Sequence, residues 1–325
     1  VRNHQERRVE REVGFPCMTD IIRLQGVTKQ FRSVRALHDV SLEIQPGVTG
    51  LLGPNGAGKS TLIKILLGLL KATSGSGTVL GFKLGTQSRE IRSVVGFLPE
   101  DDCYLPSLTG VESIQFAARL CRLPAIEALR RGHEILDFCG IGEERYREVE
   151  TYSTGMRQKL KFAQALVHDP QLLILDEPTT GLDPDERNAM LNRIRMLSKR
   201  HGKSVIVCTH ILPDVQAVSD SVVILAQGRV CVADSLQELS RPQSPAIHVR
   251  TIGSSVPLAE RLRADGFSIE ERHHGELAIA GAEATAAVWK AAEQSGTVVR
   301  SMTPARNSME AIFLDAVQDT SRANS

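Results

Sequence analysis

The sequence has no excess of charge of either sign, because 39 lysine and arginine residues are balanced by 38 aspartate and glutamate residues. Broad nucleic-acid or anionic-membrane surfaces usually require a basic excess. The composition therefore gives no indication of a nucleic-acid partner, and any partner has to be inferred from local sites.

Long apolar runs are also missing. The stretch Leu62–Leu70 is interrupted by Lys64, and Leu172–Leu175 is only four residues long. A helix that spans a bilayer needs about 20 predominantly apolar residues. The sequence therefore predicts that the chain itself does not cross a membrane.

The cysteines lack the spacing of a metal or disulfide framework. No CxxC pair occurs, and no histidines stand at zinc-binding spacing beside them. We therefore expect reduced thiols at all six positions. These are Cys17, Cys103, Cys121, Cys139, Cys208 and Cys231.

The order of patterns along the chain predicts two folded parts. Residues 1–18 are rich in arginine and glutamate and have no apolar core, which is typical of a disordered extension rather than a signal peptide. Residues 19–240 form the main predicted domain, and a proline-containing link at 241–245 separates it from a smaller domain at 246–319.

The first half of the main domain reads as strands followed by a helix. Strands are predicted at 21–27, 40–44 and 48–52, and a buried helix at 61–70 that ends in the glycine-rich cluster 73–77. A strand, a glycine-rich turn and a helix in succession indicate an α/β domain.

The second half adds a helical insertion and further central strands. Residues 108–150 have helical spacing with a break at Pro124, which predicts a helical subdomain. The apolar runs 172–175 and 205–208, separated by a polar helix at 185–201, are typical of parallel strands buried on both faces.

The smaller domain has the predicted order βαββαβ, which is typical of a ferredoxin-like fold, and a last helix is predicted from Ser308. We expect His273 and His274 to lie in a hairpin turn rather than to bind a metal, because no third ligand stands nearby.

A phosphate-binding loop is the strongest chemical signal. Its pattern, GxxxxGK followed by serine, is satisfied between a predicted strand and a predicted helix. Backbone N–H groups and the helix dipole bind phosphate there, the lysine adds a positive charge and the serine a magnesium ligand. The predicted nucleotide-binding residues are Gly53, Pro54, Asn55, Gly56, Ala57, Gly58, Lys59, Ser60 and Thr61.

Two acidic residues follow the strand 172–175. Open α/β sheets bind ligands outside the carboxyl ends of their strands, where Asp176 and Glu177 stand. Asp176 is predicted to hold magnesium through water, and Glu177 to orient and deprotonate the attacking water. The alternative, an acidic pair that caps the next turn, is less favoured because of the phosphate loop upstream.

Four further segments carry a family resemblance. Residues 152–158, YSTGMRQ, resemble the signature motif of ABC ATPases, residues 180–183 resemble the D-loop of that family, and Thr209-His210 resembles its switch histidine. Gly96–Glu100 resembles its Q-loop. These motifs stand in the family's order and cover residues 21–239.

The resemblance implies a fold and a mode of action. The fold would be a phosphate-loop NTPase core with an antiparallel β subdomain and a helical subdomain, binding ATP and Mg²⁺. ATP would be completed by the signature of a second subunit, a second copy or a similar ATPase, beneath a membrane permease on the inner face of the cell membrane. The residues implied for this contact are Ser153, Thr154, Gly155, Met156 and Asp183.

The same resemblance assigns His210 to the γ-phosphate and the attacking water, and Phe31 to stacking on adenine. A core position for Phe31 is the alternative. Glu100 stands where the family usually has glutamine; a carboxylate can ligate magnesium but adds negative charge. Thr154, Met156 and the ending 308–314 resemble the drug- and polymer-export branch, which favours export.

Two other functions remain open at the sequence level. A soluble ABC ATPase acting in translation or on DNA is the first, although the duplicated motif sets or long coiled coil of such proteins are not seen. A nucleotide sensor without hydrolysis is the second, and the intact Lys59, Asp176, Glu177 and His210 argue against it. For the smaller domain we expect dimer contacts, regulation or permease selection.

Overall fold

A computed structural model describes residues 20–241, 246–272, 276–281, 284–304 and 308–322. The predicted disordered extension at 1–18 lies outside the described residues. So do Cys17, most of the predicted link at 241–245, and His273 and His274.

The centre of the main domain is a six-stranded sheet in the order β10-β9-β3-β8-β7-β6, in which all strands but β10 are parallel. Its apolar runs are buried, as predicted for central parallel strands. The strands are β3 (Val48–Leu52), β6 (Val95–Leu98), β7 (Leu172–Asp176), β8 (Ser204–Cys208), β9 (Ser221–Ala226) and β10 (Arg229–Ser235).

A second, antiparallel sheet has the order β2-β1-β4-β5. It consists of β1 (Ile22–Phe31), β2 (Val34–Ile44), β4 (Ser74–Val79) and β5 (Phe82–Lys83). The glycine-rich cluster after the first helix forms part of β4, which the sequence did not predict. A Cβ at Gly75 would lie 2.3 Å from the Gly26 carbonyl oxygen, so the glycines allow two backbones to approach closely.

Helices cover the central sheet and form the predicted helical subdomain. Pro124 precedes α4, and Thr109 with Glu112 forms a capping box at the start of α3. No helix in the described part of the chain has the length and apolarity needed to cross a bilayer. The helices are α1 (Lys59–Leu66), α2 (Ser88–Val94), α3 (Gly110–Leu120), α4 (Ala125–Cys139), α5 (Thr154–Leu166), α6 (Pro184–His201), α7 (Leu212–Val218) and α8 (Leu236–Leu239).

The smaller module has the predicted order βαββαβ, with an antiparallel sheet in the order β12-β13-β11-β14. Its two helices share a core with the sheet, and its exposed Trp289 is the only tryptophan of the chain. This is the ferredoxin-like arrangement. Its elements are β11 (Ala246–Ile252), α9 (Val256–Ala264), β12 (Ile269–Arg272), β13 (Glu276–Ala280), α10 (Ala284–Ser295) and β14 (Val298–Pro304).

The last helix, α11 (Met309–Arg322), packs on the main domain rather than on the smaller module's core. Met309 is only 1% exposed and shares an apolar cluster with Leu52, Val222 and Ile224. The chain therefore leaves the main domain after α8 and returns to it with α11.

Candidate functional site

The phosphate loop connects the buried strand β3 to helix α1. Gly58, the residue before α1, has a φ of +103°, and a Cβ there would lie 2.7 Å from the Ala36 carbonyl oxygen. Only glycine fits both the backbone conformation and this close approach. The sequence GAGKS therefore places the amino terminus of α1, with its unpaired N–H groups, at the end of the sheet.

Lys59 folds back onto this loop. Its Nζ donates hydrogen bonds to the carbonyl oxygens of Gly53, at 2.5 Å, and of Pro54, at 3.2 Å. The positive charge is thus held beside the loop that the sequence assigns to phosphate, where it suits an anionic ligand.

A cavity of about 600 Å³ opens above the carboxyl ends of the parallel strands. It brings together thirteen predicted residues, namely Gly53, Pro54, Asn55, Gly56, Ala57, Gly58, Lys59, Ser60, Thr61, Glu100, Asp176, Glu177 and His210. Residues from four distant segments of the chain therefore share one space, as the predicted sheet topology required.

Negative charge is concentrated at one end of this cavity. Burial raises the pKa of Asp176 above its ordinary value, and the carboxylates of Glu100 and Glu177 raise it further, while a hydrogen bond with Cys208 and the charge of Lys59 lower it. The thiol of Cys208 is itself buried, and its pKa is raised by that burial and by Asp176.

The oxygen ligands here fit a hard divalent cation. The Ser60 hydroxyl and the carboxylates of Asp176 and Glu100 line the same cavity, and a bound cation would offset the mutual repulsion that raises the pKa of Asp176. Across the described residues, no three Asp, Glu, His or Cys side chains converge on one metal position. Magnesium at this position would therefore depend on nucleotide oxygens and water for its remaining ligands.

Glu177 is held firmly by its neighbours. Its Oε2 accepts a hydrogen bond from Thr209 Oγ1 at 2.9 Å, and its Oε1 lies 2.8 Å from His210 Nδ1 and accepts from the His210 backbone N–H. Gln158 Nε2 donates to the Glu177 carbonyl oxygen at 2.8 Å. Thr209 and His210 therefore orient the carboxylate, and Gln158 holds the backbone of the same residue.

The backbone of Glu177 is also unusual, with a φ of +50°. Side-chain-bearing residues rarely adopt this left-handed conformation, and such strain is concentrated at functional sites. Glu177 N–H donates to the Cys208 carbonyl oxygen at 2.8 Å, which fixes the turn that directs the side chain toward the cavity.

The signature residues do not line this cavity. Ser153 caps α5 by accepting a hydrogen bond from Met156 N–H, and Ser153 and Thr154 are exposed. Gly155 is buried against α6, where a Cβ would lie 2.3 Å from Glu186 Oε2. Asp183 caps α6 and also lies outside the cavity lining.

Phe31 stands at the end of β1 and is 45% exposed, so the alternative of a core phenylalanine is wrong. The ammonium group of Lys29 lies 4.8 Å from the centre of its ring. Phe31 is not part of the cavity lining.

Sequence reasoning missed several residues of the site. Ala36, Leu212 and Phe313 line the cavity, and Phe313 reaches it from α11. Thr209 and Gln158 hold Glu177. Only Thr209 and Gln158 could have been found from the sequence, because both belong to segments that resemble family motifs. Nothing in the local sequence links α11 to a phosphate loop.

Comparison with known proteins agrees with this geometry. The ABC transporter family model matches residues 37–180. An ABC transporter ATP-binding protein of Bacillus subtilis strain 168, YdbJ, is 39% identical over 70% of this chain and 73% of its own length. The chain belongs to the ABC transporter ATP-binding protein family. ATP hydrolysis coupled to transport is the general activity of such ABC subunits.

Two other similarities bear on function and assembly. The Nod factor export ATP-binding protein I of Cupriavidus pinatubonensis is 33% identical over 78% of this chain and 81% of its own length. A dimeric ATP-binding cassette in a post-hydrolysis state bound to ADP and Pi, MJ0796, aligns with a TM-score of 0.62 and 25% identity. It covers 66% of this ABC protein and 98% of its own chain.

Proposed function

We propose that two copies of this chain, or this chain and a similar ATPase, bind two ATP molecules between them in a head-to-tail pair. Hydrolysis in this pair energises export through a separate membrane permease at the inner face of the cell membrane. The proposal depends on one observation. In a single copy of the chain, the signature residues lie outside the lining of the cavity.

That separation has a direct consequence. Ser153 and Thr154 are exposed at the amino terminus of α5, a thirteen-residue helix whose dipole suits a phosphate. The cavity with Lys59 is open and has no contribution from these residues. A second copy in antiparallel orientation supplies the missing wall, and the dimeric state of the similar cassette with ADP and Pi supports this arrangement.

Within each cavity the chain's residues divide the work. Backbone N–H groups of residues 56–60 and Lys59 bind the phosphates, while Ser60 and Asp176 would hold magnesium, with Glu100 beside them. When bound, the cation neutralises charge on the phosphate oxygens. Phe31, exposed at the end of β1, stacks on adenine.

Glu177 acts on water. A carboxylate held by Thr209 and His210 accepts a proton from the attacking water as the water oxygen bonds to the γ-phosphorus, and ADP leaves with the electron pair of the broken bond. His210 is hydrogen-bonded to that carboxylate and its side chain is 72% exposed, so it can also contact the γ-phosphate and the attacking water.

A separate groove suits the permease. It has a volume of about 540 Å³ and lies between α2 and the end of α3, with Arg89, Arg92 and Leu123 in its lining. Leu120 of α3 also lines the groove, and Phe116, one turn earlier on α3, is a further exposed apolar side chain. A groove that combines leucines with arginines and Glu90 fits a short amphipathic cytoplasmic helix of a membrane protein. The similarity to the Nod factor export protein supports export, and the permease would select the cargo.

Substitution of Glu177 tests the proposal. Glu177→Gln removes the base and retains the binding groups, so turnover should fall about 10²- to 10⁴-fold while ATP and Mg²⁺ induce a stable pair. ATPase assays and size-exclusion chromatography with ATP measure the two effects. The matched control is Glu43→Gln, an exposed carboxylate on β2 paired with Arg23. Parental turnover in Glu177→Gln, or a monomer in saturating ATP, would contradict the proposal.

A further inference from the structure

Helix α5 connects two parts of the site that lie apart in the sequence. It begins at the signature, with Ser153 as its cap, and its side packs against the loop that contains Glu100. Three residues of α5 at positions i, i+4 and i+7, namely Arg157, Lys161 and Gln164, face this loop. Residues at that spacing form one stripe of a helix.

Lys161 makes the central contact of this stripe. Its side chain is only 8% exposed, and its Nζ donates to the carbonyl oxygens of Pro99 at 3.3 Å, Glu100 at 2.9 Å and Asp101 at 3.4 Å. An ammonium group has three donors, and three successive carbonyl groups use all of them. A buried charge is costly unless it is hydrogen-bonded in this way.

The flanking residues extend the contact. Asp102 lies 3.7 Å from Arg157 and 3.9 Å from Lys161, and the Arg157 guanidinium lies 5.0 Å from the centre of the Tyr104 ring. Cys103 Sγ lies 3.5 Å from Gln164 Oε1. The whole segment 99–104 is therefore fastened to one helix, although it has no regular structure of its own.

We propose that Lys161 is a positioning residue that fixes the Glu100 carboxylate relative to the magnesium position and joins that loop mechanically to the signature helix. The Glu100 carbonyl oxygen accepts from Lys161 while the same residue lines the cavity. A shift of α5 when the signature binds the other copy's ATP is thereby transmitted to the metal end of its own cavity. The inference rests on the proposed function.

The test compares two lysine-to-methionine variants. Lys161→Met removes the donors at the loop. Lys203→Met is the matched control, because Lys203 is 14% exposed and also donates to a carbonyl oxygen, that of Pro170 at 2.7 Å, at the opposite end of the parallel strands. Binding of ADP is measured by calorimetry with and without Mg²⁺, and amide hydrogen exchange is followed in residues 99–104.

We expect Lys161→Met to weaken ADP binding about tenfold in the presence of Mg²⁺ only, as do losses of other groups that orient metal ligands. Exchange in residues 99–104 should become faster. Lys203→Met should leave both measurements unchanged. Combined with Glu100→Gln, the Mg²⁺-specific effect of Lys161→Met should shrink, since the lysine acts through that carboxylate.

An unchanged Mg²⁺-dependent affinity for ADP would overturn the inference. If Lys161→Met lowers stability but binds ADP in the presence of Mg²⁺ as tightly as Lys203→Met does, the role of Lys161 is structural only. If Lys161→Met does not fold, Lys161→Gln, which is shorter and has two N–H donors in place of three, is compared with Lys203→Gln, and an equal Mg²⁺-dependent affinity of these two variants for ADP would overturn the inference. Failure of the unaltered protein to hydrolyse ATP would instead overturn the proposed function, and this inference with it.

Discussion

The acidic end of the cavity shows how single residues set the conditions for activity. Asp176 is half-buried and lies near Glu100 and Glu177, and its pKa is raised first by partial burial and next by these carboxylates. A proton and a cation compete for the same carboxylate. As the pH falls through the raised pKa, Asp176 becomes protonated and the cation is held less well.

Glu100→Gln is expected to shift the acidic limb of ATPase activity to lower pH at subsaturating Mg²⁺. Removal of the Glu100 charge lowers the pKa of Asp176, so Asp176 stays ionised to a more acidic pH. Rate profiles at several Mg²⁺ concentrations measure the shift. Glu43→Gln, at the exposed carboxylate on β2 outside the cavity lining, should leave the limb unchanged. An acidic limb that moves to higher pH in Glu100→Gln would contradict this account.

At the same scale, the sequence predicts residues that belong to a recognisable pattern well, even in distant segments, and residues outside such patterns poorly. The phosphate loop is a single run whose glycines have a purpose that can be read from the pattern, as the φ of Gly58 confirms. Lys161 carries no such signal, because its partners are backbone carbonyl groups about 60 residues away, and any sequence offers carbonyls. Only the fold shows which lysine meets which loop.

At the scale of elements, the position of α11 differs most from what the order of elements along the chain suggests. It follows the smaller module in sequence but covers β9 and α7 of the ATPase core, with Met309 and Phe313 on its inner side. Its apolar spacing predicts a helix, but spacing does not say which of two cores the helix covers. The strand β4 was missed for a different reason: its sequence is rich in glycine and serine, which indicates a turn rather than a strand.

Met309→Ala should lower the free energy of unfolding of the ATPase core by about 2 to 4 kcal/mol, through lost apolar contacts and the cavity left behind. Leu314→Ala, on the same helix but 54% exposed, should change it by less than about 0.5 kcal/mol. Thermal unfolding followed by circular dichroism, with amide exchange in β9, measures both. Equal effects of the two variants would show that α11 does not cover the core.

At the scale of the whole molecule, head-to-tail pairing makes each cavity a product of two copies. A pair that combines Lys59→Ala in one copy with Ser153→Arg in the other has one cavity with both defects and one with neither. The opposite arrangement, in which each copy completes its own cavity, leaves a defect in both.

We therefore expect the mixed pair, made in a Glu177→Gln background, to retain one ATP, whereas either variant alone retains none. Both chains carry different affinity tags, so the mixed pair can be isolated and its nucleotide counted after gel filtration. A mixed pair without retained ATP would show that Lys59 and Ser153 do not act across two copies.

The position of Trp289 has a practical consequence. The chain has one tryptophan, and it stands on α10 in the smaller module, away from the cavity lining. Tryptophan emission, excited selectively over tyrosine, therefore reports on that module alone, and a change in this emission on nucleotide binding would show that the main domain and the smaller module are coupled.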